Sequence, residues 1–324
     1  MKYPLDQTRR LELLVLREGV HGLPAESYAD ALAERLPGHT VRHARTPDEE
    51  RELIADADVA TGLDVRPSIL TNADALRVFA CAYAGTDHLP LGALAEHDVA
   101  VTNAAGVHAP NAAEQAVGSI LMYSRRLHEA ARTDEWQPVS PGELAGSTVT
   151  IVGLGAIGTG IAERLDPFGV TTVGVRRSPE SGGPTDEVIG PERLHDALAR
   201  SEFVVLCCPL TESTRGLIDA EALATLPPNA VIVNVARGEV IETNTLVEGL
   251  RRGRVGGAIL DVTDPEPLPD AHPLWGLDNV LVTPHSAGST PKYYDRLADI
   301  IADNVDRLAA GEPLRNRVQI DTEN

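Results

Sequence analysis

Short apolar, β-branched runs recur along this chain, and between them apolar residues return every three or four positions. Strands alternating with amphipathic helices predict parallel, doubly wound sheets. In the first part, residues 11–16 (L-E-L-L-V-L), 40–43, 59–63, 78–83 and 99–102 read as strands. Helices are expected over 27–36, closed by Pro37-Gly38, and from Pro47 to near Ala55. The Gly/Pro/Asn-rich passage 103–115 predicts a crossing into a second domain and opens a long helix through about Arg132, with Pro110 in its first turn. Residues 133–147 read as a polar connection around Trp136. A second set of strands is expected at 149–152, 170–175, 203–207, 230–235, 257–261 and 280–282. A last helix is predicted with Thr290 as its cap and Pro291 at its first position, stopped by Gly311.

One stretch organises the rest. Residues 148–158 read T-V-T-I-V-G-L-G-A-I-G: an apolar run, a glycine turn, then a helix expected over 157–168. Strand, G-x-G-x-x-G and helix in that order form the dinucleotide-binding fingerprint. Gly153 permits the tight turn, Gly155 lets backbone approach a pyrophosphate, and Gly158 lets helix and strand pack closely. Ala156 and Ile157 then present the unpaired N–H groups and positive dipole of a helix N-terminus.

Length and composition bound the reading. The chain has 324 residues, which predicts two domains, and its 43% hydrophobic content suffices for two packed cores. No long apolar run and no apolar leader segment stand out, so no membrane partner is expected. Cys81, Cys207 and Cys208 offer no disulfide framework, which fits a reducing, cytoplasmic setting. The ten histidines show no metal-ligand spacing, so no metal is expected. The net charge is −20, with Lys2 and Lys292 the only lysines. Such a surface repels phosphate backbones, so no nucleic-acid partner is expected. It fits either a merely acidic protein or adaptation to a high-salt cytoplasm.

Ligands of an open parallel sheet sit beyond the carboxyl ends of its strands. In the second set those positions hold G-L-G-A-I-G (153–158), R-R-S (176–178), C-P-L-T (208–211), A-R-G (236–238), D-V-T-D-P-E-P (261–267) and P-H-S-A-G (284–288). An arginine, acidic residues and a histidine thus gather around one nucleotide site. At the end of the second strand, Arg176, Arg177 and Ser178 stand where NAD-preferring proteins carry an acidic residue for the ribose 2′-hydroxyl. No carboxylate is there to repel a 2′-phosphate and two guanidiniums are there to bind it, so NADP(H) is expected over NAD(H).

Over nearly its whole length the chain resembles the D-isomer-specific 2-hydroxyacid dehydrogenases. The matching phrases are E-L-A-G-S-T-V-T-I-V-G-L-G-A-I-G (143–158), P-L-T-E-S-T-R-G-L-I (209–218), N-V-A-R-G (234–238), D-V-T-D-P-E-P-L (261–268) and H-P-L-W-G-L-D-N-V-L-V-T-P-H-S-A-G (272–288). The resemblance implies a Rossmann cofactor domain (103–288) inserted into a flavodoxin-like substrate domain built from both chain ends (1–102 and 289–324). It implies Arg237, Glu266 and His285 as the catalytic set. It implies Cys208, Pro209, Thr214, Val235, Ala236, Asp261, His285, Ala287 and Gly288 as cofactor contacts besides the fingerprint and Arg176–Ser178. It also implies that A-Y-A-G-T-D (82–87) binds the substrate carboxylate, with the Ala84 and Gly85 N–H groups as donors. Val107 and His108 are expected near the nicotinamide or substrate, and a homodimer is expected through the cofactor domain.

The chemistry suits these residue types. A forked guanidinium holds a carboxylate and an adjacent oxygen, which lysine cannot match. Imidazole titrates at about 6.5 when unperturbed, so it can hand over a proton near neutrality. A carboxylate on its other nitrogen orients the ring and stabilises the imidazolium. A small 2-keto acid reduced to a D-2-hydroxy acid is the expected reaction. A dinucleotide-sensing, corepressor-like regulator on the same scaffold is the alternative.

Overall fold

The computed structural model describes residues 9–132, 134, 136 and 138–320. Residues 1–8, on which the expectation about a leader segment falls, lie outside them, as do Thr133, Glu135 and Gln137 of the polar connection. The described residues form two compact units, one reaching Val107 and resuming at Thr290, the other spanning His108–Ser289.

In the first unit the chain alternates β1 (Glu12–Val15), α1 (Ala25–Arg35), β2 (Thr40–His43), α2 (Pro47–Leu53), β3 (Val59–Gly62), α3 (Pro67–Leu70), β4 (Val78–Cys81), α4 (Leu91–Glu96) and β5 (Ala100–Thr102). The five strands pair in parallel in the order β2-β1-β3-β4-β5, the flavodoxin-like arrangement. Both faces of this sheet are covered, which is why β3 and β4 (V-A-T-G and V-F-A-C) are buried throughout.

The second unit contains α5 (Ala109–Ser124), α6 (Leu127–Arg132), β6 (Thr148–Val152), α7 (Ala156–Leu165), β7 (Thr171–Val175), β8 (Glu187–Ile189), α8 (Leu194–Leu198), β9 (Phe203–Leu206), α9 (Ala220–Thr225), β10 (Val231–Asn234), α10 (Thr243–Arg251), β11 (Gly257–Leu260) and β12 (Val280–Val282). The chain then returns to the first unit with α11 (Tyr293–Ala310). Its seven parallel strands run β12-β11-β10-β9-β6-β7-β8. Strand order therefore reverses between β6 and β9, and a ligand crevice is expected beyond those two strand ends. One apolar layer packs α8, α9 and α10 on one face of the sheet, and another packs α5 and α7 on the opposite face.

Several expectations need correction. The long helix breaks after Ser124: Arg126 has a φ of 50°, and the chain restarts as α6. Around this break the Tyr123 hydroxyl donates to the Gly256 carbonyl at 2.7 Å and its ring stacks on His128 at 4.9 Å. Thr290 does not cap the last helix. That helix begins at Tyr293, and the Thr290 hydroxyl accepts from the Lys292 N–H at 3.2 Å in the turn before it. The fingerprint helix ends at Leu165 and tightens into a 3₁₀ turn over Asp166–Phe168, where Pro167 cannot continue the α ladder. The edge strand β8 was not expected, being three residues long and starting on a glutamate.

Candidate active site

The glycine turn acts largely as its spacing implies. Gly153 has a φ of 103°, and a Cβ on it would lie 2.8 Å from the Cys208 backbone, so the ends of β6 and β9 meet there. A Cβ on Gly158 would lie 2.0 Å from the Gly153 carbonyl oxygen, which makes this the point where α7 presses on the turn. Around Gly155 nothing lies within 4 Å of a built Cβ. Gly155 also caps α7 without a side chain, and Ala156 and Ile157 form the first turn. Cys207 seals the junction by donating its thiol to the Gly153 carbonyl at 3.0 Å. Burial pushes both the Cys207 and the Cys208 thiols up, which makes them packing groups and poor nucleophiles.

Beyond this turn lies a cavity of about 390 Å³. Gly153, Gly155, Arg176, Arg177, Ser178, Cys208, Pro209 and Thr214, all expected at the cofactor, line it. Leu154, Thr211, Ser213 and Leu217, which lie within the quoted segments 153–158 and 209–218, line it too, and so do Pro191 and Leu194, which escaped the sequence reading. No carboxylate is among the lining residues. The Arg176 guanidinium is set in place by donating to the Gly182 carbonyl at 2.7 Å. Thr214 braces the turn after β9, its hydroxyl donating to Pro209 O at 2.7 Å and accepting the Thr211 N–H at 2.8 Å.

The ends of β10, β11 and β12 hold the expected catalytic residues. His285 Nδ1 lies 2.6 Å from Glu266 Oε1, with both side chains exposed. A second cavity, of about 370 Å³, is bounded by this pair together with Asp261, Leu268, Trp275 and Pro284. Arg237 follows β10 with its side chain exposed, held by one bond from Nη1 to the Ala236 carbonyl at 2.6 Å. Asn234 shapes this turn from beneath, accepting the Ala236 N–H at 3.0 Å and donating to the Arg237 carbonyl at 2.9 Å. Val235 directly precedes it and pairs with Leu206 at 3.1 Å. Gly238 brings the loop after β10 onto the loop after β11: a Cβ there would lie 2.1 Å from the Thr263 carbonyl carbon. The glycine of N-V-A-R-G thereby lets the arginine loop touch the Asp261–Glu266 loop.

Asp261 is 4% exposed, and its carboxylate binds the histidine loop. It accepts from Thr283 Oγ1 at 2.5 Å, Ser286 N at 3.0 Å and Ala287 N at 2.9 Å. His108 is tied to the same loop, its Nδ1 lying 2.7 Å from the Gly288 carbonyl, while Val107 is 1% exposed. Asn111 and Gln115 also reach this loop, donating to Ala287 O at 2.5 Å and Thr283 Oγ1 at 3.3 Å. Both escaped the sequence reading, although His108, Asn111 and Gln115 are spaced to share one face at the start of α5, which is a visible signal. Ala84 and Gly85 lie in the first unit, exposed in the loop after β4, and the Ala84 carbonyl accepts from Asn103 Nδ2 at 2.7 Å. Among the described residues no group of histidines, cysteines and carboxylates could hold a metal ion, and no helix is long and apolar enough to cross a membrane.

A parallel sheet whose strand order reverses at a glycine turn, with a histidine–carboxylate pair on the same edge, is the setting in which open α/β folds bind dinucleotides. Residues 117–287 match the family model described as D-isomer specific 2-hydroxyacid dehydrogenase, NAD binding domain. A glyoxylate/hydroxypyruvate reductase of Arabidopsis thaliana is 33% identical over 300 residues, covering 89% of this chain and 88% of the relative. A glyoxylate reductase of Thermofilum pendens is 35% identical over 285 residues, covering 84% and 81%. The crystal structure of a D-isomer specific 2-hydroxyacid dehydrogenase from Xanthobacter autotrophicus Py2, in complex with NADPH and MES, superposes with a TM-score of 0.76 at 32% identity, covering 96% of this chain and 98% of that one. This chain belongs to the D-isomer specific 2-hydroxyacid dehydrogenase family.

Proposed function

We propose that this protein is an NADP(H)-preferring reductase of small 2-keto acids, forming D-2-hydroxy acids, with His285 as proton donor and acceptor. The observation behind the reading is the 2.6 Å His285–Glu266 pair on the same sheet edge as the glycine turn.

The second unit fits a dinucleotide. Open space at Gly155 leaves backbone accessible to a pyrophosphate, and Ala156, Ile157 and Gly158 begin the helix behind it. Arg176, Arg177 and Ser178 line a cavity without carboxylates, which suits a 2′-phosphate. Cys208, Pro209, Thr214, Val235, Ala236, Asp261, Ala287 and Gly288 are the further contacts proposed. A bound cofactor supplies the hydride that reduces the carbonyl carbon.

The chain's own residues do the remainder. Arg237, exposed beside the Asp261–Glu266 loop, holds the carboxylate and carbonyl oxygen of the keto acid through its forked donors. Protonated His285 hands its Nε2 proton to the carbonyl oxygen, and Glu266 holds Nδ1 so that the ring keeps its orientation. Ala84 and Gly85 are proposed as backbone donors to the substrate carboxylate, which gives the first unit the substrate-binding role.

Met122, Leu127 and Trp136 are exposed on and just after α5 and α6, which supports a homodimer through the cofactor unit. Three free cysteines fit the cytoplasm, and a net charge of −20 fits adaptation to high salt. The test is turnover of glyoxylate, hydroxypyruvate, pyruvate and branched 2-keto acids with NADPH and with NADH. Turnover of one of them with NADPH, and a raised KM for it in Arg237→Lys, are expected. Cofactor binding without turnover of any keto acid sinks the reading.

A further inference from the structure

His285 has a φ of 49°, in the left-handed region that non-glycine residues seldom adopt. A side chain stays there only where its surroundings over-determine the backbone. For the loop 283–289 the restraints come from two directions. From the sheet, Asp261 accepts the His285 N–H on its backbone oxygen at 2.8 Å and receives the loop's Ser286 and Ala287 N–H groups on its carboxylate. From α5, Asn111 Nδ2 donates to Ala287 O at 2.5 Å and faces Ser289 O at 3.4 Å. Two carbonyls around one amide group leave the nitrogen as the only sensible atom in that position.

Thr283 joins the two directions. Its hydroxyl accepts from Gln115 Nε2 at 3.3 Å and donates to Asp261 Oδ1 at 2.5 Å, the arrangement that one hydroxyl proton permits. The loop thus has its N–H groups fixed by a buried carboxylate and its oxygens fixed by a helix.

We infer that Asn111, Gln115 and Thr283 are positioning residues for proton transfer, holding the His285 backbone in the conformation that sets its ring against Glu266. None of them needs to touch substrate. The inference rests on the proposed role of His285, and proton transfer is the step that suffers when a donor is displaced: a shift of about 1 Å can lower rate about 10²-fold.

The test uses Thr283→Val, which keeps the shape and removes the hydroxyl, Thr283→Ser, which restores it, and Asn111→Asp, which keeps the shape and removes the donor. His285→Ala is measured beside them, with kcat, keto-acid KM and NADPH Kd read for each. Thr283→Val and Asn111→Asp are expected to lower kcat about tenfold or more with a clearly smaller change in NADPH Kd, as for a displaced general acid. Thr283→Ser is expected to recover most of kcat, which a purely packing role would not give. Wild-type kcat in Thr283→Val or Asn111→Asp beside an inactive His285→Ala overturns this inference alone. Loss of NADPH binding in step with kcat, or a Thr283→Ser as impaired as Thr283→Val, overturns it too. An undiminished His285→Ala overturns the proton-donor role and this inference with it.

Discussion

Nδ1 of His285 lies 2.6 Å from Oε1 of Glu266, although the two residues are 19 positions apart and follow different strands. The contact leaves Nε2 as the ring nitrogen that can serve a substrate, and it gives each partner a separate consequence on mutation.

His285→Ala is expected to lower kcat about 10²–10⁴-fold while cofactor binding persists, as loss of a general acid does. Glu266→Gln keeps the shape but replaces a charge by a dipole, so the imidazolium loses its partner. Without that anchor the ring is held less well against the substrate, and kcat for keto-acid reduction is expected to fall with NADPH Kd near wild type. Steady-state rates and NADPH Kd check both; a Glu266→Gln variant with wild-type kcat removes the charge role.

Arg176 decides the cofactor prediction. Wild type is expected to favour NADPH over NADH in kcat/KM, and Arg176→Asp to reverse that order by removing a phosphate partner and adding a repelling charge. The Gly182 carbonyl loses its donor in the variant, so a melting curve should accompany the kinetics. An unchanged NADPH/NADH ratio would mean that Arg176 does not meet the phosphate.

Gly158→Ala should disrupt the glycine turn itself. The new methyl would sit 2.0 Å from the Gly153 carbonyl oxygen, a backbone atom that cannot rotate away. Helix α7 must shift, with a stability loss of about 1–3 kcal/mol of the kind overpacking produces. A melting temperature several degrees lower and weakened NADPH binding are expected; an unshifted melt with wild-type Kd contradicts the packing role.

Salt dependence follows from the net charge of −20. Screening shortens from about 10 Å at 0.1 M to about 3 Å at 1 M salt, so self-repulsion fades over that range. Melting temperature and activity are expected to rise from low salt into molar KCl. A flat or falling melting temperature across the series ends the high-salt reading.

What the sequence by itself determined was whatever depends on local spacing. Two sheets, the strand before the glycine turn and the helix after it are written in apolar period and glycine placement, because backbone sterics act between near neighbours. The candidate site was legible as a set of strand ends, because a parallel sheet presents all its carboxyl ends on one edge, while the family resemblance singled out Arg237, Glu266 and His285 among them. Only the tertiary structure decided what those ends touch. Tyr123, near the end of α5, donates to the carbonyl of Gly256, 133 positions away. Asp261, read as a cofactor contact, has its carboxylate engaged by Thr283, Ser286 and Ala287. Asn111 meets Ala287 across 176 positions. Hydrogen bonds over such separations leave no periodicity in the chain, because their partners are matched by the packing of α5 and of the β11 and β12 ends, not by local geometry.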